Sequence, residues 1–464
     1  MTPLIELLLR TYLKTPLLLS TGVIACLVIA YSLVWVIYNL YFHPLRHFPG
    51  PLEARATRIW YCRKLLSGKV SFEIGKVHAK YGDVVRIAPD ELSFNDPNAW
   101  NDIYGYRQGK GEFDKDPVFY SVTSSGRLSI VGAPTKRHGE LRRMMAHGFS
   151  DRSLREQVPI IKSYGDKFFN RLHELSRTGK PVDMVKWYNF LTFDVIGDLA
   201  FGSSFDCLET SQYHSWISIV FDNIKLSAYL RCTLYYPRFL RPILRQFIPS
   251  HLTRHREKHM RLTREKAMAR WNLKNGRPDL LDRLTKPNSG ISEAEFIQNC
   301  ATVVVAGSDT TANVLAGTTH FLSQNRRCYD KLAHEVRSRF KSEDEITLDA
   351  VCQLEYLTAC LTEGMRRYPP TPAHLPRRTN MNDNLSGRLV PKNVRLTTLF
   401  NLAMIELRLT IARLMWNFDF DPIPGYENWH NQNIYLGWQK VPLPIQLRPR
   451  AYIAKDVNGA ISAQ

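Results

Sequence analysis

CATVVVAGSDTTANVLA, residues 300–316, is an apolar run interrupted at its centre by the small and polar letters GSDTT. If the run is one buried helix, Gly307 lowers its helical propensity, Thr310 can bond back to the carbonyl four residues earlier, and the Asp309 carboxyl needs a partner or a functional reason. The alternative is that Ser308 and Asp309 cap a helix that begins at Thr310. In both cases the small residues would let a flat ligand approach the backbone.

A second helix is predicted further on by LTEGMRRYPP, residues 361–370. Glu363 and Arg366 stand three positions apart, so on a helix they share a face and can form an ion pair. The two prolines that follow Tyr368 end the helix there. Surface pairs at this spacing are common, so this pair alone carries no functional information.

The 464-residue chain has the composition of a globular protein, with 44% apolar and 23% charged residues. No period of about 20–50 residues repeats, which excludes a solenoid. No Ser-, Gly- or Pro-rich linker divides the chain, so one large domain is predicted.

The net charge of +19 is concentrated between Arg238 and Arg277, where twelve Lys or Arg face only two acids. Basic and apolar residues recur near helical spacing from Leu252 to Lys266, which predicts a long amphipathic helix. This helix is either a solvated face or a surface for anionic lipid headgroups or an acidic protein. No nucleic-acid-binding motif accompanies it, so nucleic acid is not predicted as a partner.

The eight cysteines are too few for a disulfide scaffold in a chain of this length. They form no CxxC pair or Cys/His cluster that would hold zinc. Most are predicted to be reduced core residues. The last is Cys360, so the final 104 residues contain none.

The N-terminal segment predicts a membrane anchor over residues 15–42. No Asp, Glu, Lys or Arg occurs from Thr15 to Leu45, and residues 17–37 are apolar and long enough to cross about 30 Å of hydrocarbon. The run ends in bulky aromatic residues typical of a membrane interface. This ending favours an uncleaved anchor over a signal peptide with a small-residue cleavage site.

Charges on either side of the anchor predict its orientation. Two basic residues precede it and five follow it closely, so the larger positive side should remain cytosolic. Residues 1–14 are then a short lumenal segment, and residues 43–52 form a stiff hinge around Pro49-Gly50-Pro51. The remaining chain, residues 53–464, is predicted to be a cytosolic domain, where reduced cysteines are expected.

Taken in order, these pieces resemble a microsomal cytochrome P450 of the fungal secondary-metabolism type. The anchor, the hinge, Ala306-Gly307-Ser308-Asp309-Thr310-Thr311 and Glu363-x-x-Arg366 follow one another as they do in that family. Further similar pieces are His138-x-x-x-Arg142, the turn Pro278-Asp279, Leu375-Pro376-Arg377, and Asn401-Leu-Ala-Met-Ile-Glu-Leu-Arg-Leu leading to Trp416-Asn-Phe-Asp419.

The resemblance implies a mainly α fold with small β-sheets, of class α+β. It would be a single haem-monooxygenase fold over residues 53–464, behind the transmembrane helix and internally truncated. Haem would be the cofactor. Asp309 and Thr310 would be the acid–alcohol pair that delivers protons to dioxygen on the haem iron. Ala306 and Gly307 would leave space over the porphyrin.

Five other residues take roles from the same resemblance. Glu363 and Arg366 would form a buried ion pair that holds the fold around the haem. His138, Arg142 and Arg377 would neutralise the haem propionates, since a guanidinium pairs with a carboxylate at two points.

The chain departs from the family where the iron ligand belongs. The family places a cysteine in Phe-x-x-Gly-x-Arg-x-Cys-x-Gly before its final long helix, and that thiolate binds the iron. Counting back four from Asn401 puts Thr397 at this position, and an alcohol cannot replace a thiolate. Only ten steps separate Pro391 from Asn401, where the family has roughly 60 further residues. No metal ligand is therefore assigned.

Two explanations of this gap remain: a gene model that skipped coding sequence, or a real deletion. Both flanks are family-like, and the last helix keeps its apolar spacing at Leu402, Ile405, Leu409, Ala412 and Met415. This pattern favours an abrupt, recent or artefactual excision over an old pseudoenzyme.

The resemblance implies a haem-thiolate monooxygenase that oxidises a hydrophobic small molecule of secondary metabolism with O2. Its partners would be NADPH–cytochrome P450 reductase and the lipid bilayer, and it would be a single-pass protein of the endoplasmic reticulum membrane. Without the cysteine, the chain as written is expected not to perform this reaction. The alternative is a catalytically inactive, haem-less relic that acts at most as a membrane-bound binding or scaffold protein.

Overall fold

The computed structural model describes residues 22–23, 26–105, 107, 109, 111–122, 128–212, 215–273, 280–286, 289–397 and 404–450. The α-helices are α1 (Leu52–Ala56), α2 (Ile59–Leu66), α3 (Val70–Tyr81), α4 (Asn98–Tyr104), α5 (Pro117–Val122), α6 (Thr135–Ala146), α7 (Asp151–Ser176), α8 (Met184–Phe201), α9 (Cys207–Thr210), α10 (Ser215–Leu234), α11 (Arg241–Arg245), α12 (Ser250–Trp271), α13 (Glu293–Gln324), α14 (Arg326–Arg339), α15 (Leu348–Val351), α16 (Glu355–Arg367) and α17 (Ile405–Asn417). The strands are β1 (Val84–Ala88), β2 (Glu91–Phe94), β3 (Asp114–Lys115), β4 (Val182–Asp183), β5 (Arg377–Arg378), β6 (Asp383–Leu385), β7 (Arg388–Val390), β8 (Arg395–Thr397), β9 (Phe418–Pro422) and β10 (Pro444–Pro449). The predicted class, mainly α with small sheets, is confirmed.

The described residues divide into two compact units. Unit 1 is drawn from Met1–Lys64, Phe72–Phe113 and Arg377–Thr398, and unit 2 from Leu65–Ser71, Asp114–Pro376 and Leu399–Gln464.

Unit 1 is organised around short strands. β1 and β2 pair antiparallel, β2 and β8 pair parallel, and β8 and β5 pair antiparallel. A separate hairpin joins β6 to β7 through Ser386 and Gly387, both of which have positive φ, as a tight two-residue hairpin turn requires. Val390, Val394 and Leu396 are buried in the core of this unit, so the flank before the predicted gap is folded.

The predicted Pro-rich hinge is held against β1. The amide of Arg86 donates a hydrogen bond of 2.7 Å to the carbonyl of Pro49. A Cβ at Gly50 would collide with the Arg86 carbonyl, so only glycine allows this close approach.

Unit 2 is mainly helical, and α8 is buried along nearly its whole length. α13 crosses α8, and it starts with a capping box in which Ser292 and Glu295 each bond the other's backbone amide. A three-stranded antiparallel sheet in the order β4-β10-β9 completes this unit. The basic stretch forms α12, which confirms the helix predicted from its spacing.

The eight cysteines are free thiols. Four of them, Cys62, Cys207, Cys232 and Cys300, are buried, so half of the cysteines and not most of them are core residues. Within the ranges that the structure describes, no helix combines the length and hydropathy that crossing a bilayer requires. Much of the predicted anchor, at residues 15–21 and 24–25, lies outside those ranges, as do residues 1–14 and the turn Pro278-Asp279.

Candidate functional site

The interrupted run at residues 300–316 is one continuous helix. α13 extends from Glu293 to Gln324 and is capped at Ser292, so a helix that begins at Thr310 is ruled out. The Thr310 hydroxyl donates a hydrogen bond of 2.6 Å to the carbonyl of Ala306, as expected for a threonine in a buried helix. The polar letters at the centre therefore belong to the helix and do not cap it.

The Asp309 carboxylate forms an ion pair with Lys440, whose Nζ lies 2.8 Å from Oδ1. The side chains are only 8% and 13% exposed. Asn313, one turn further along α13, donates a hydrogen bond of 3.1 Å to the other carboxylate oxygen. Lys440 also donates to the amide oxygen of Asn313. The partner that a buried carboxyl requires is thus a lysine from the C-terminal part of the chain.

Residues just before Lys440 hold this C-terminal segment in place. The Trp438 ring stacks on Tyr368 with centroids 4.1 Å apart, and its indole NH donates to the carbonyl of Pro369 at 2.7 Å. A Cβ at Gly437 would lie 3.3 Å from Asp309 Oδ2. Burial, and secondarily the charge of Asp309, raise the pKa of Tyr368.

Sequence reasoning missed Lys440. The available signal was a buried acid in α13 that needed a cation, together with a single charged residue at the end of the largely apolar segment IYLGWQK, residues 434–440. Many other lysines and arginines were equally eligible, because the pairing joins distant parts of the chain.

Gly307 lies where α13 approaches α8. A Cβ at this position would lie 2.6 Å from Cδ1 of Ile196, a buried residue of α8. The missing side chain allows this close approach, and the predicted role of Gly307 beside a porphyrin stays a prediction. Ala306, by contrast, is exposed.

Glu363 and Arg366 form the predicted ion pair, with two contacts of 2.7 Å. The expectation that the pair is buried is wrong, since the side chains are 54% and 71% exposed. The reason is the face of the helix: α16 buries Leu357, Leu361 and Gly364, and the ion pair lies off that stripe.

The three residues predicted to bind propionates belong to both units. His138 and Arg142 are one turn apart on α6 in unit 2, and Arg142 is exposed. Arg377 is in β5 of unit 1, where it donates to the carbonyl of Phe113 at 3.2 Å. Their common role toward haem stays a prediction.

The described residues do not fit a thiolate-bound haem. Thr397 ends β8, and its successors up to residue 403 lie outside the described ranges. No cysteine follows Cys360 in the sequence, and the described residues hold no group of three or more His, Cys, Asp or Glu that could bind a metal ion. Asp309, the acid of the predicted acid–alcohol pair, is ion-paired with Lys440.

Comparison with known proteins identifies the family. The model of the family "Cytochrome P450" matches residues 48–401. The chain is 37% identical to the cytochrome P450 monooxygenase tpeC of Talaromyces stipitatus, over 91% of this chain and 94% of the relative. It is 34% identical to the cytochrome P450 monooxygenase cpaH of Aspergillus oryzae, over 93% and 94%. It is 36% identical to a trichothecene C-15 hydroxylase of Fusarium sporotrichioides, over 91% and 96%.

The alignment with the Aspergillus relative covers 482 positions, more than the 464 residues of this chain, so part of the relative has no counterpart here. Similarity nevertheless extends over nine-tenths of the chain. The relatives named above are two fungal monooxygenases and a fungal hydroxylase. The chain therefore belongs to the cytochrome P450 family.

Proposed function

We propose that the gene for this protein specifies a membrane-anchored monooxygenase that oxidises a hydrophobic small molecule of fungal secondary metabolism. We further propose that the 464-residue chain lacks the segment that this reaction needs. Haem is the cofactor of the family and supplies oxygen activation when a thiolate binds its iron. The observation that carries both statements is a family match over residues 48–401 in a chain without a cysteine after Cys360.

Three features support an intact ancestral enzyme with a block missing. The hairpin β6–β7 and strand β8 are folded before the gap, and α17 is folded after it. The alignment with a relative contains positions that this chain lacks. The hydroxyl of Thr310 bonds to the carbonyl of Ala306 inside an unbroken α13, so the helix that carries the predicted acid–alcohol pair is formed.

Membrane attachment and electron supply belong to the same proposal. The uncharged stretch from Thr15 to Leu45 would serve as the anchor, with the body of the protein on the cytosolic side of the endoplasmic reticulum. NADPH–cytochrome P450 reductase would supply electrons. The substrate class follows from the relatives, one of which is named for hydroxylation of a trichothecene.

The test restores the missing block. Residues 392–400 are replaced by the corresponding segment of the Talaromyces relative, and a matched control carries the same insert with its ligand cysteine changed to serine. Reduced carbon-monoxide difference spectra should show the thiolate-type band for the cysteine chimera only. A thiolate-type band from the unmodified chain, or a haem-loaded chimera without it, would refute the proposal. Sequencing of cDNA across codons 391–401 then decides between a gene-model error and a deletion.

A second candidate is supported by the Asp309–Lys440 pair. Lys440 neutralises the carboxylate of Asp309, which the resemblance assigns to proton delivery. A neutralised acid is expected of a catalytically inactive, haem-less binding or scaffold protein in the membrane. This candidate predicts that the 464-residue chain folds stably without iron. It fails if the purified chain forms only aggregates and a longer, cysteine-coding transcript is found.

A further inference from the structure

A cavity of about 420 Å³ lies inside unit 2, between the helices α7, α8, α13 and α17 and the loop at residues 341–348. From α13 only Leu315 contributes to its wall. Ala306, Gly307, Asp309 and Thr310 do not line it, so this cavity is separate from the site described above. Nothing in the proposed oxygenase chemistry uses it.

The walls of the cavity are suited to an apolar small molecule. Phe169, Leu191, Val195, Leu409 and Trp416 supply aromatic and aliphatic surface from three helices. A volume of several hundred cubic ångströms with a largely apolar surface is typical of small-molecule sites. Charged residues share the wall of this cavity: Lys162, Asp166, Lys341, Glu343, Asp344, Glu406 and Arg413. No cysteine or histidine lines it, so the occupant is not a haem whose iron is bound there.

Three cations line the cavity, Lys162, Lys341 and Arg413, and the first and last of them are held in ion pairs. Arg413 of α17 contacts Asp166 at 2.7 Å and Glu343 at 2.5 Å. Near the loop, Lys162 lies 3.3 Å from Asp344. These pairs leave Arg413 with little attraction for an anionic ligand.

Glu406, which also lines the cavity, has no such ion pair among the described residues. It lies seven residues before Arg413 on the same face of α17, about 10 Å away along the helix axis. Within the described part of the chain, no residue donates a hydrogen bond to its carboxyl group or forms an ion pair with it. Burial raises the pKa of this carboxyl from 4.5 to about 7. Glu406 is partly exposed and lines the cavity, so a donor inside the cavity can reach its carboxyl group.

We propose that the cavity binds a hydrophobic amine, with its protonated nitrogen paired to Glu406 and its apolar body against Phe169, Val195 and Trp416. The apolar walls provide most of the buried area, and the carboxylate selects the charge. An alcohol of the same shape gains one weaker hydrogen bond, and a carboxylate of the same shape meets a like charge.

The test uses three probes with one carbon skeleton: 6-phenylhexylamine, 6-phenylhexanol and 6-phenylhexanoate. The full chain is purified in phosphatidylcholine nanodiscs and titrated by calorimetry at pH 8, with empty nanodiscs subtracted. The amine should bind at least about tenfold more tightly than the alcohol, because a charge-assisted hydrogen bond exceeds a neutral one. The carboxylate should bind most weakly.

Two variants separate charge from shape. Glu406→Gln should remove the preference for the amine and leave the affinity for the alcohol within about twofold. Val195→Phe should fill the cavity and weaken all three probes. Circular dichroism checks that each variant is folded, and Glu406→Asp with Val195→Leu replaces any variant that is not. Equal affinity for the three probes, an amine preference that survives Glu406→Gln, or unchanged binding by Val195→Phe would overturn the proposal.

Discussion

Replacement of Glu406 by glutamine should change how the stability of unit 2 depends on pH. The pKa of this carboxyl rises from 4.5 to about 7 on folding because burial removes the carboxylate from water. The folded state then holds a proton that the unfolded chain releases, so the group favours folding at low pH. This advantage is lost as the pH rises from 4.5 through 7.

The size of the effect follows from the two pKa values. Each pH unit between them corresponds to 1.36 kcal/mol, which gives an upper limit of about 3 kcal/mol. Because Glu406 lines a cavity that water can enter, we expect about 1–3 kcal/mol. Wild type should lose this much unfolding free energy between pH 5 and pH 8 relative to Glu406→Gln, as measured by urea denaturation without added amine.

The comparison needs a matched control because other groups titrate in the same range. Glu265→Gln removes a carboxylate from α12 whose side chain is 61% exposed, and it should leave the pH dependence as in wild type. If Glu406→Gln and wild type lose the same free energy between the two pH values, folding does not raise the pKa of the Glu406 carboxyl and the reasoning is refuted.

Three further substitutions test the packing around α13 and α16 by urea denaturation. Lys440→Met should destabilise the fold by about 3–5 kcal/mol, because it leaves the Asp309 carboxylate buried without its cation. Adding Asp309→Asn should recover most of this loss. Equal stability of the single and double variants would contradict the ion pair. Gly307→Ala should lower the free energy of unfolding by about 1–3 kcal/mol. Adding Ile196→Val should reduce this loss, because it removes Cδ1, the atom nearest to the new methyl group. Additive effects of the two substitutions would show that the residues do not touch. Glu363→Ala should lower the free energy of unfolding by less than about 1 kcal/mol, because the ion pair with Arg366 is exposed. A loss of about 3 kcal/mol or more would show that the pair is buried in solution.

Local rules predicted much of this fold from the sequence. The sequence allowed two structures for residues 300–316, one continuous helix or a cap before Thr310, and the structure has the helix. The bond from Thr310 to the Ala306 carbonyl was expected if the run was helical. The basic spacing gave α12, and the prolines after Tyr368 ended α16 as expected. These features depend on residues within one or two helical turns.

Contacts between distant segments could not be predicted in the same way. The Glu363–Arg366 pair formed, but its exposure depends on which face of α16 packs, and the spacing of two charges does not specify that. Gly307 was singled out as a residue that allows close approach, but the sequence did not indicate that the approaching side chain would be Ile196 of α8. The exposure of the ion pair and the neighbour of Gly307 both depend on how one helix packs against another.

The position of the gap bears on how the chain lost its ligand segment. Before the gap, Val390 and Leu396 are fully buried in the core of unit 1. After it, Leu407, Ile411 and Leu414 are fully buried in unit 2. A sequence long released from selection would accumulate polar residues at such positions, because most substitutions there destabilise a fold and only selection removes them. Apolar residues occupy the buried positions on both sides. This pattern favours a recent deletion, or an error in the gene model, over an old pseudoenzyme. The longer protein is therefore the one whose oxidation chemistry should be assayed first.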